Sequence, residues 1–157
     1  MTGNERVIQA LNDAVQAELQ GIQQYVVHHA MQENFGFGKL AIELTLKHAK
    51  DEMRHLGMFI DRILFLEGTP NLANPLPLKI GADVLAELVN DLEGEYTAVQ
   101  SYAEAAKICE KVGDIGSRDL FTAVLKDEEG HADDIETQMS IINKIGLANY
   151  LNRQISE

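Results

Sequence analysis

The sequence predicts an all-α protein that consists of four long helices followed by a short fifth one. All three prolines lie in one short segment, between positions 70 and 77, and the stretches on either side lack proline and carry many helix-forming residues. Within those stretches, apolar residues recur at every third or fourth position, which is the spacing of one helix face.

Glycine and proline set the limits of each predicted helix. The five predicted helices cover residues 4–33, 38–67, 82–111, 114–144 and 147–155. Thr2 and Glu5 can form a capping box at the start of the first helix, Gly68 is expected to stop the second, and Asp114 can cap the fourth. Short links make antiparallel hairpins, whereas the segment 68–80 is long enough to cross the bundle.

Composition limits the classes of function. A chain of 157 residues suits one domain, 1–157, and the net charge of −12 disfavours nucleic acid and anionic membranes as partners and favours cations. By itself, the acidity is better explained by solubility. The single cysteine, Cys109, excludes an internal disulfide or a cysteine-rich metal site. No segment resembles a transmembrane helix or a signal peptide, so we expect a cytoplasmic protein.

Two copies of a Glu-x-x-His pattern carry the chemistry. Glu52 and His55 lie three residues apart on the second predicted helix, and Glu128 and His131 repeat that spacing on the fourth. The spacing places a carboxylate and an imidazole on one helix face. Two such pairs, together with one glutamate from each of two further helices, form the ligand set of di-iron and di-manganese carboxylate bundles.

Glu18 and Glu95 are the two further glutamates that this ligand set requires. Each is the one carboxylate that interrupts the apolar stripe of its helix near the middle. The stripes are Val7, Leu11, Ala14, Glu18, Gly21 and Tyr25 on the first helix, and Leu85, Leu88, Leu92, Glu95, Val99, Tyr102, Ala106 and Cys109 on the third. The matching stripes are Ala41, Thr45, His48, Glu52, His55 and Phe59 on the second helix, and Phe121, Val124, Glu128, His131 and Ile135 on the fourth.

The two halves of the chain repeat each other around these residues. Glu95 follows Glu18 by 77 residues (95 − 18), and Tyr102 follows Tyr25 by the same interval (102 − 25). The second Glu-x-x-His pair follows the first by 76 residues (128 − 52). An internal two-fold repeat explains these intervals better than chance does.

Four buried carboxylates require positive charge, and no inward-facing lysine or arginine lies near the middle of the stripes. Two divalent cations would neutralise them, and a metal-free network of glutamate–histidine hydrogen bonds is the alternative. Oxygen and nitrogen ligands suit iron, manganese or zinc, and the lack of thiolates favours redox-active iron over structural zinc. We expect Glu52 and Glu128 to bridge the two ions, because each shares a helix turn with a histidine.

Several segments resemble the bacterioferritin family, and the resemblance extends over essentially the whole chain. The segments are 51–55 (DEMRH), 62–68 (RILFLEG), 70–72 (PNL), 126–131 (KDEEGH) and 147–151 (LANYL). The resemblance implies a ferritin-like four-helix bundle whose twenty-four copies form a hollow shell. It implies that Fe(II) is oxidised with oxygen or peroxide at a di-iron centre and stored as ferric mineral, with a ferredoxin-type protein as the electron donor for release.

The resemblance also assigns residues. The matching metal ligands are Glu18, Glu52, His55, Glu95, Glu128 and His131, with Tyr25 beside the site as a hydrogen-bond donor, an electron donor or simply a core aromatic. A rubrerythrin-like di-iron peroxidase or oxidase without mineral storage is the alternative function, although the chain lacks the cysteines of a full-length rubrerythrin.

Other positions match less closely. Phe59 and Asp134 stand where relatives often carry tyrosine and tryptophan. His48 with Asp51 and Asp127 resembles a secondary iron site on the inner surface, for which a solvated wall is the alternative. Residues that line an iron channel between subunits in relatives are matched by Asn34, Glu67 and Asp133.

A second apolar face on the first two helices predicts a dimer. Its residues are Val15, Leu19, Ile22 and Val26 on the first helix, and Ile42, Leu46, Ala49, Met53, Leu56, Ile60 and Ile63 on the second. A two-fold axis there would bring two copies of Met53 together, and Gly57 would leave room beside them. The resemblance implies that Met53 from each of two subunits ligates one shared haem; the alternative is that Met53 fills an apolar interface.

Overall fold

A computed structural model describes residues 1–156, and the predicted all-α architecture is confirmed. The helices are α1, Glu5–Phe35; α2, which joins Gly38–Leu40, a π-helical segment Ala41–Leu46 and Lys47–Phe65; α3, Val84–Lys111; α4, Ile115–Ile145; and α5, Leu147–Asn152. The hairpin of α1 and α2 packs against the hairpin of α3 and α4, and residues 66–83 cross the bundle between them. Among the described residues, no helix is both long and apolar enough to span a membrane.

The capping box predicted at the start of α1 is wrong. Asn4 caps the helix, because its side chain accepts a hydrogen bond from the Arg6 backbone amide. The Thr2 hydroxyl instead donates to Glu67 at 2.9 Å. The cap predicted for α4 is confirmed, since the Asp114 side chain accepts from the Ser117 amide.

The end of α2 differs slightly from the prediction. Glu67, and not Gly68, adopts the left-handed backbone conformation, with φ of 61°. Gly68 is required for a different reason, because a Cβ atom there would lie 2.9 Å from the Ile8 Cγ2 atom and 3.0 Å from the Ile63 Cγ2 atom. The glycine therefore permits close packing at the point where the helix ends.

The π-helical segment in α2 was not predicted. It lies directly before the helix turns that carry Glu52 and His55. A π-helical turn accommodates one extra residue, and such turns often accompany functional sites. Here Ala41, Leu44 and Thr45 are all buried in the bundle.

Two buried clusters lie on opposite sides of the middle of the bundle. The larger is almost wholly apolar and includes Leu11, Phe59 and Phe121. The smaller lies where α5 packs, and it includes Leu88 and Tyr150.

The second apolar face was predicted partly wrongly. Val15 and Ile63 are fully buried within the subunit, and Ala49 is 3% exposed. The reason is that α1 packs on both α2 and α3, so its inward face is wider than one stripe. Met53 is 60% exposed and Val26 is 49% exposed, which leaves a narrower outward face.

Candidate metal centre

The six residues predicted as ligands converge in one buried layer at the middle of the bundle. None of the six residues is more than 4% exposed, and four different helices contribute them. The ligand layer is defined as Glu18, Glu52, His55, Glu95, Glu128 and His131. The apolar stripes direct these side chains inward, because each ligand occupies a position on the face that packs against the other helices.

The first ligand group consists of Glu18, Glu52, His55 and Glu128. One ligand atom from each lies within 4.8 Å of the others. His55 Nδ1 is 2.9 Å from Glu128 Oε1 and 3.5 Å from Glu18 Oε2. Three carboxylates and one imidazole so arranged can hold one divalent ion.

The second ligand group consists of Glu52, Glu95, Glu128 and His131, with the same spacing. His131 Nδ1 is 3.4 Å from Glu95 Oε1 and 3.5 Å from Glu52 Oε1. Glu52 and Glu128 belong to both groups. A carboxylate that bridges two ions must lie between two groups in this way. The layer therefore offers two adjacent metal positions that share two carboxylates.

Two buried tyrosines hold the unshared glutamates. The Tyr25 hydroxyl donates to Glu95 Oε1, and the Tyr102 hydroxyl donates to Glu18 Oε1 at 2.5 Å. Burial raises the pKa of both phenols well above the ordinary value, so both remain hydrogen-bond donors. Tyr102 was identified in the sequence only as the repeat partner of Tyr25, and the structure gives the two residues matching contacts.

Both ligand histidines are oriented by an aspartate from the opposite hairpin. Asp127 Oδ2 lies 2.9 Å from His55 Nε2, and Asp51 Oδ2 lies 3.0 Å from His131 Nε2. A carboxylate on the outer nitrogen fixes the ring and leaves the inner nitrogen free for metal. In the sequence, Asp51 and Asp127 with His48 resemble a secondary iron site, with a solvated wall as the alternative. In the structure, both aspartates bond the ligand histidines.

The electrostatics of the layer show a shortage of positive charge. Among the described residues, the only cationic groups within 4.0 Å of the four ligand carboxylates are the two histidines. Burial raises the pKa of Glu18 well above its ordinary value, and burial together with nearby carboxylates raises the pKa of Glu128 to about 8. Burial opposes charge on His131, but the carboxylates of Glu52 and Glu95 outweigh it and raise its pKa to about 11. Divalent cations would satisfy this demand for charge.

A cavity of about 230 Å³ connects the ligand layer with the surface between α1 and α3. Glu52, Glu95 and Glu128 line its inner end. Lys79 and Glu93 also line it and form an exposed ion pair of 2.7 Å. The cavity gives small molecules and ions a route to the metal positions.

A second buried polar group, which the sequence did not predict, lies beside the layer, and we name it the polar network. It consists of Gln24, His28, Gln32, Thr45, Glu87 and Asp91. His28 Nδ1 lies 2.9 Å from the Asp91 carboxylate, and its Nε2 accepts from the Gly81 amide at 3.0 Å. Three of its members, Gln24, His28 and Gln32, are spaced four residues apart on α1. This regular spacing of polar residues is the sequence pattern that could have predicted the network.

The comparisons with known proteins agree with the geometry. A family model described as a ferritin-like domain matches residues 8–145. A bacterioferritin from Brucella melitensis is 43% identical over 96% of this chain and 92% of its own length. The chain belongs to the bacterioferritin family. A bacterioferritin from Rhodobacter capsulatus is 44% identical over 93% of this chain and 90% of its own length, and a bacterial ferritin from Synechocystis is 39% identical over 99% and 100%.

The remaining predicted positions of a bacterioferritin lie outside the ligand layer. Met53 lies on the outward face of α2, and a Cβ atom on Gly57 would meet nothing within 4 Å. Asn34 and Asp133 are exposed. The Glu67 carboxylate pairs with the N-terminal ammonium at 2.9 Å within the same chain.

Proposed function

We propose that this protein stores iron, and that each subunit oxidises Fe(II) to Fe(III) at a di-iron centre formed by the ligand layer. The observation that carries the proposal is the pair of overlapping four-residue groups, buried, rich in carboxylate and without a lysine or arginine in contact. Two Fe(II) ions lose one electron each. Dioxygen takes up both electrons with two protons to give hydrogen peroxide. The peroxide then takes up two electrons from two further Fe(II) ions, together with two protons, to give two waters.

The chain's own residues have separate tasks in this reaction. The four carboxylates balance the charge of two Fe(II) ions, and His55 and His131 complete the two groups. Tyr25 and Tyr102 each engage one oxygen of Glu95 and Glu18, which leaves the other oxygen for metal. The cavity between α1 and α3 admits the oxidant.

Loss of single ligands tests the site. Glu18→Ala, Glu95→Ala and Glu128→Ala should each slow rapid Fe(II) oxidation by roughly 100-fold or more, because loss of even an outer partner of a metal ligand typically costs 10–100-fold. Stopped-flow absorbance of Fe(III) measures the rate. Glu104→Ala is the control, since that carboxylate is exposed and pairs only with Lys107. Wild-type rates in the three ligand variants would refute the assignment.

Iron loading separates storage from the rubrerythrin-like alternative. A storage protein should accumulate soluble ferric mineral far beyond two irons per subunit when Fe(II) is added repeatedly in air. An oxidase or peroxidase without storage should saturate near two. Iron assay of the protein fraction after gel filtration decides between them.

We further propose that the subunits pair through the outward face of α1 and α2 and assemble into a shell of twenty-four. Met53, Ile42 and Val26 are between 49% and 60% exposed on this face, and such apolar side chains favour a symmetric partner. Light scattering at micromolar concentration tests the assembly, and a monomer would refute it.

We also propose that two copies of Met53 bind one haem between paired subunits. A thioether is a soft axial ligand, and the open space at Gly57 suits a flat ring. Met53→Leu should lose haem or change its absorption spectrum, whereas Met58→Leu, on the same helix, should not. Retention of an unchanged spectrum in Met53→Leu would contradict this role.

A further inference from the structure

A third histidine, His48, adjoins the ligand layer without belonging to either ligand group. Its side chain is fully buried. Its ring stacks on that of His131, with 4.2 Å between centroids and 26° between planes, and it meets the edge of Tyr25 with 5.4 Å between centroids.

His48 has the same hydrogen-bond arrangement as the two ligand histidines. Each of the three rings places Nε2 against an aspartate at the solvent-exposed edge of the layer, and each leaves Nδ1 buried without a hydrogen-bond partner. The aspartates are Asp134 for His48, Asp127 for His55 and Asp51 for His131. A carboxylate can only accept from Nε2–H, so the neutral ring carries its free lone pair on Nδ1, as in carboxylate–histidine–metal sites.

His48 has further ligand atoms close to it. One of its ring nitrogens lies within 4.8 Å of a ligand atom of Glu95 and of one of His131. Glu95 Oε2 is also buried and without a hydrogen-bond partner. Buried polar atoms are rarely left without a partner, because the loss of hydration is costly. A metal ion between these residues would satisfy them.

We propose that His48, Glu95 and His131 form an additional position for a divalent transition-metal ion, adjoining the second ligand group. This inference rests on the proposed di-iron centre. His131 Nδ1 can bind one ion at a time, so the additional position and the second position share one ion, which moves between them. Two imidazoles and one carboxylate suit Fe(II), Co(II) and Zn(II).

The additional position makes the two halves of the centre unequal. The residue that matches His48 in the internal repeat is Val124, 76 positions later (124 − 48), and it cannot bind metal. Among the residues that the structure describes, only the ion of the second group therefore has a neighbouring ligand to move to. His48 leads outward to Asp134, whose side chain is 41% exposed, so this ion has a second route to solvent besides the cavity between α1 and α3.

Cobalt binding by the metal-free assembled protein tests the proposal. Absorption of Co(II) in the visible region gives two dissociation constants. In His48→Val, which introduces the residue of the other half, one constant should rise about tenfold or more while the other stays unchanged. His29→Ala is the control, since that histidine bonds the Ala41 carbonyl outside the layer, and it should behave as wild type. Two unchanged constants in His48→Val would overturn the proposal.

Diffraction from wild-type crystals soaked in Co(II) gives a test that needs no variant. Anomalous scattering at the cobalt edge should place an ion at about 2.0–2.2 Å from His48 Nδ1. Cobalt in both four-residue groups and none at His48 would overturn this inference alone. A lack of cobalt in both groups would contradict the proposed di-iron centre itself.

Discussion

The internal repeat relates each position at one end of the bundle to a position at the other end, but the buried residues at the two ends differ in polarity. At five buried pairs of repeat-related positions, the member at the end of the bundle with the α1–α2 link is polar, and the member at the end with the α3–α4 link is apolar. The pairs are His28 and Ala105, Gln32 and Cys109, Thr45 and Phe121, His48 and Val124, and Asp91 and Ala14. The ligand layer between the two ends keeps identical residues in both halves.

Under the proposed di-iron centre, the difference separates the positions that metal binding would fix from those that it would leave free. The residues of the ligand layer would have to match in both halves, because two ions need equivalent donors. Beyond them, one end forms a tightly packed apolar core, and the other uses its polar network to fasten the crossover and border the cavity. Stability should therefore depend mainly on the apolar end, and access to the metal mainly on the polar end.

The largest effect on stability is expected at Phe121, whose position in the internal repeat matches that of Thr45. Phe121→Ala should lower the free energy of unfolding by about 3–5 kcal/mol, because it leaves a cavity among Phe59 and Tyr102. Thr45→Ala should cost about 1–3 kcal/mol, because Gln32 Oε1 loses its donor at 2.7 Å. Guanidinium denaturation measures both, and equal losses would remove the distinction between the ends.

A smaller effect is expected for His28→Ala. The variant loses the contacts with Asp91 and with the Gly81 amide, so the crossover should loosen and stability should fall by about 1–3 kcal/mol. Hydrogen exchange should become faster at the Gly81 amide and remain unchanged in α4. His29→Ala serves as the control, and unchanged exchange at Gly81 in His28→Ala would show that the polar network does not fasten the crossover.

The smallest effect concerns the pH dependence of stability. Burial raises the pKa of Glu87, and this outweighs the opposing hydrogen bond from Gln32. The titratable groups near Glu87 are His28, Asp91 and Asp83. Because the folded protein holds this proton more tightly than the unfolded chain does, its contribution to stability is complete below the ordinary pKa of 4.5 and is lost as the pH rises through the folded pKa.

Glu87→Gln removes this titration. Melting temperatures between pH 4.5 and 7 should therefore fall less with rising pH in the variant than in the wild type. Glu104→Gln, at an exposed carboxylate, should leave the wild-type dependence unchanged. Parallel curves for Glu87→Gln and wild type would contradict the role of burial.

The ligand layer was predictable from the sequence because its signal is periodic. Glu18 and Glu95 stand alone on apolar stripes. An interval of 77 residues relates them to each other, and a nearly equal interval of 76 relates the two Glu-x-x-His pairs. Periodicity places a side chain on a face of its own helix. It does not say which neighbouring residue that side chain meets, and for this reason the contacts of Asp51 and Asp127 with the opposite histidines were not predicted.

Other features left no such signal. The π-helical segment Ala41–Leu46 depends on hydrogen bonds that no residue pattern specifies. The sequence places Val15 on an outer face if only one apolar stripe of α1 faces the core. Because α1 packs on two helices, its buried face is wider than one stripe and includes Val15. Thr2 matches a capping box in the sequence, but α1 begins at Glu5, so Asn4 is the residue that caps it.

Iron-edge anomalous diffraction from wild-type crystals loaded with Fe(II) without oxygen tests the central claim most directly. The two overlapping ligand groups predict two iron peaks per subunit about 3.5–4 Å apart, the usual separation in two-metal sites. One peak should lie against His55 and the other on the His131 side, with Glu52 and Glu128 between them. A single peak in the layer, or iron bound only at surface carboxylates, would contradict the account.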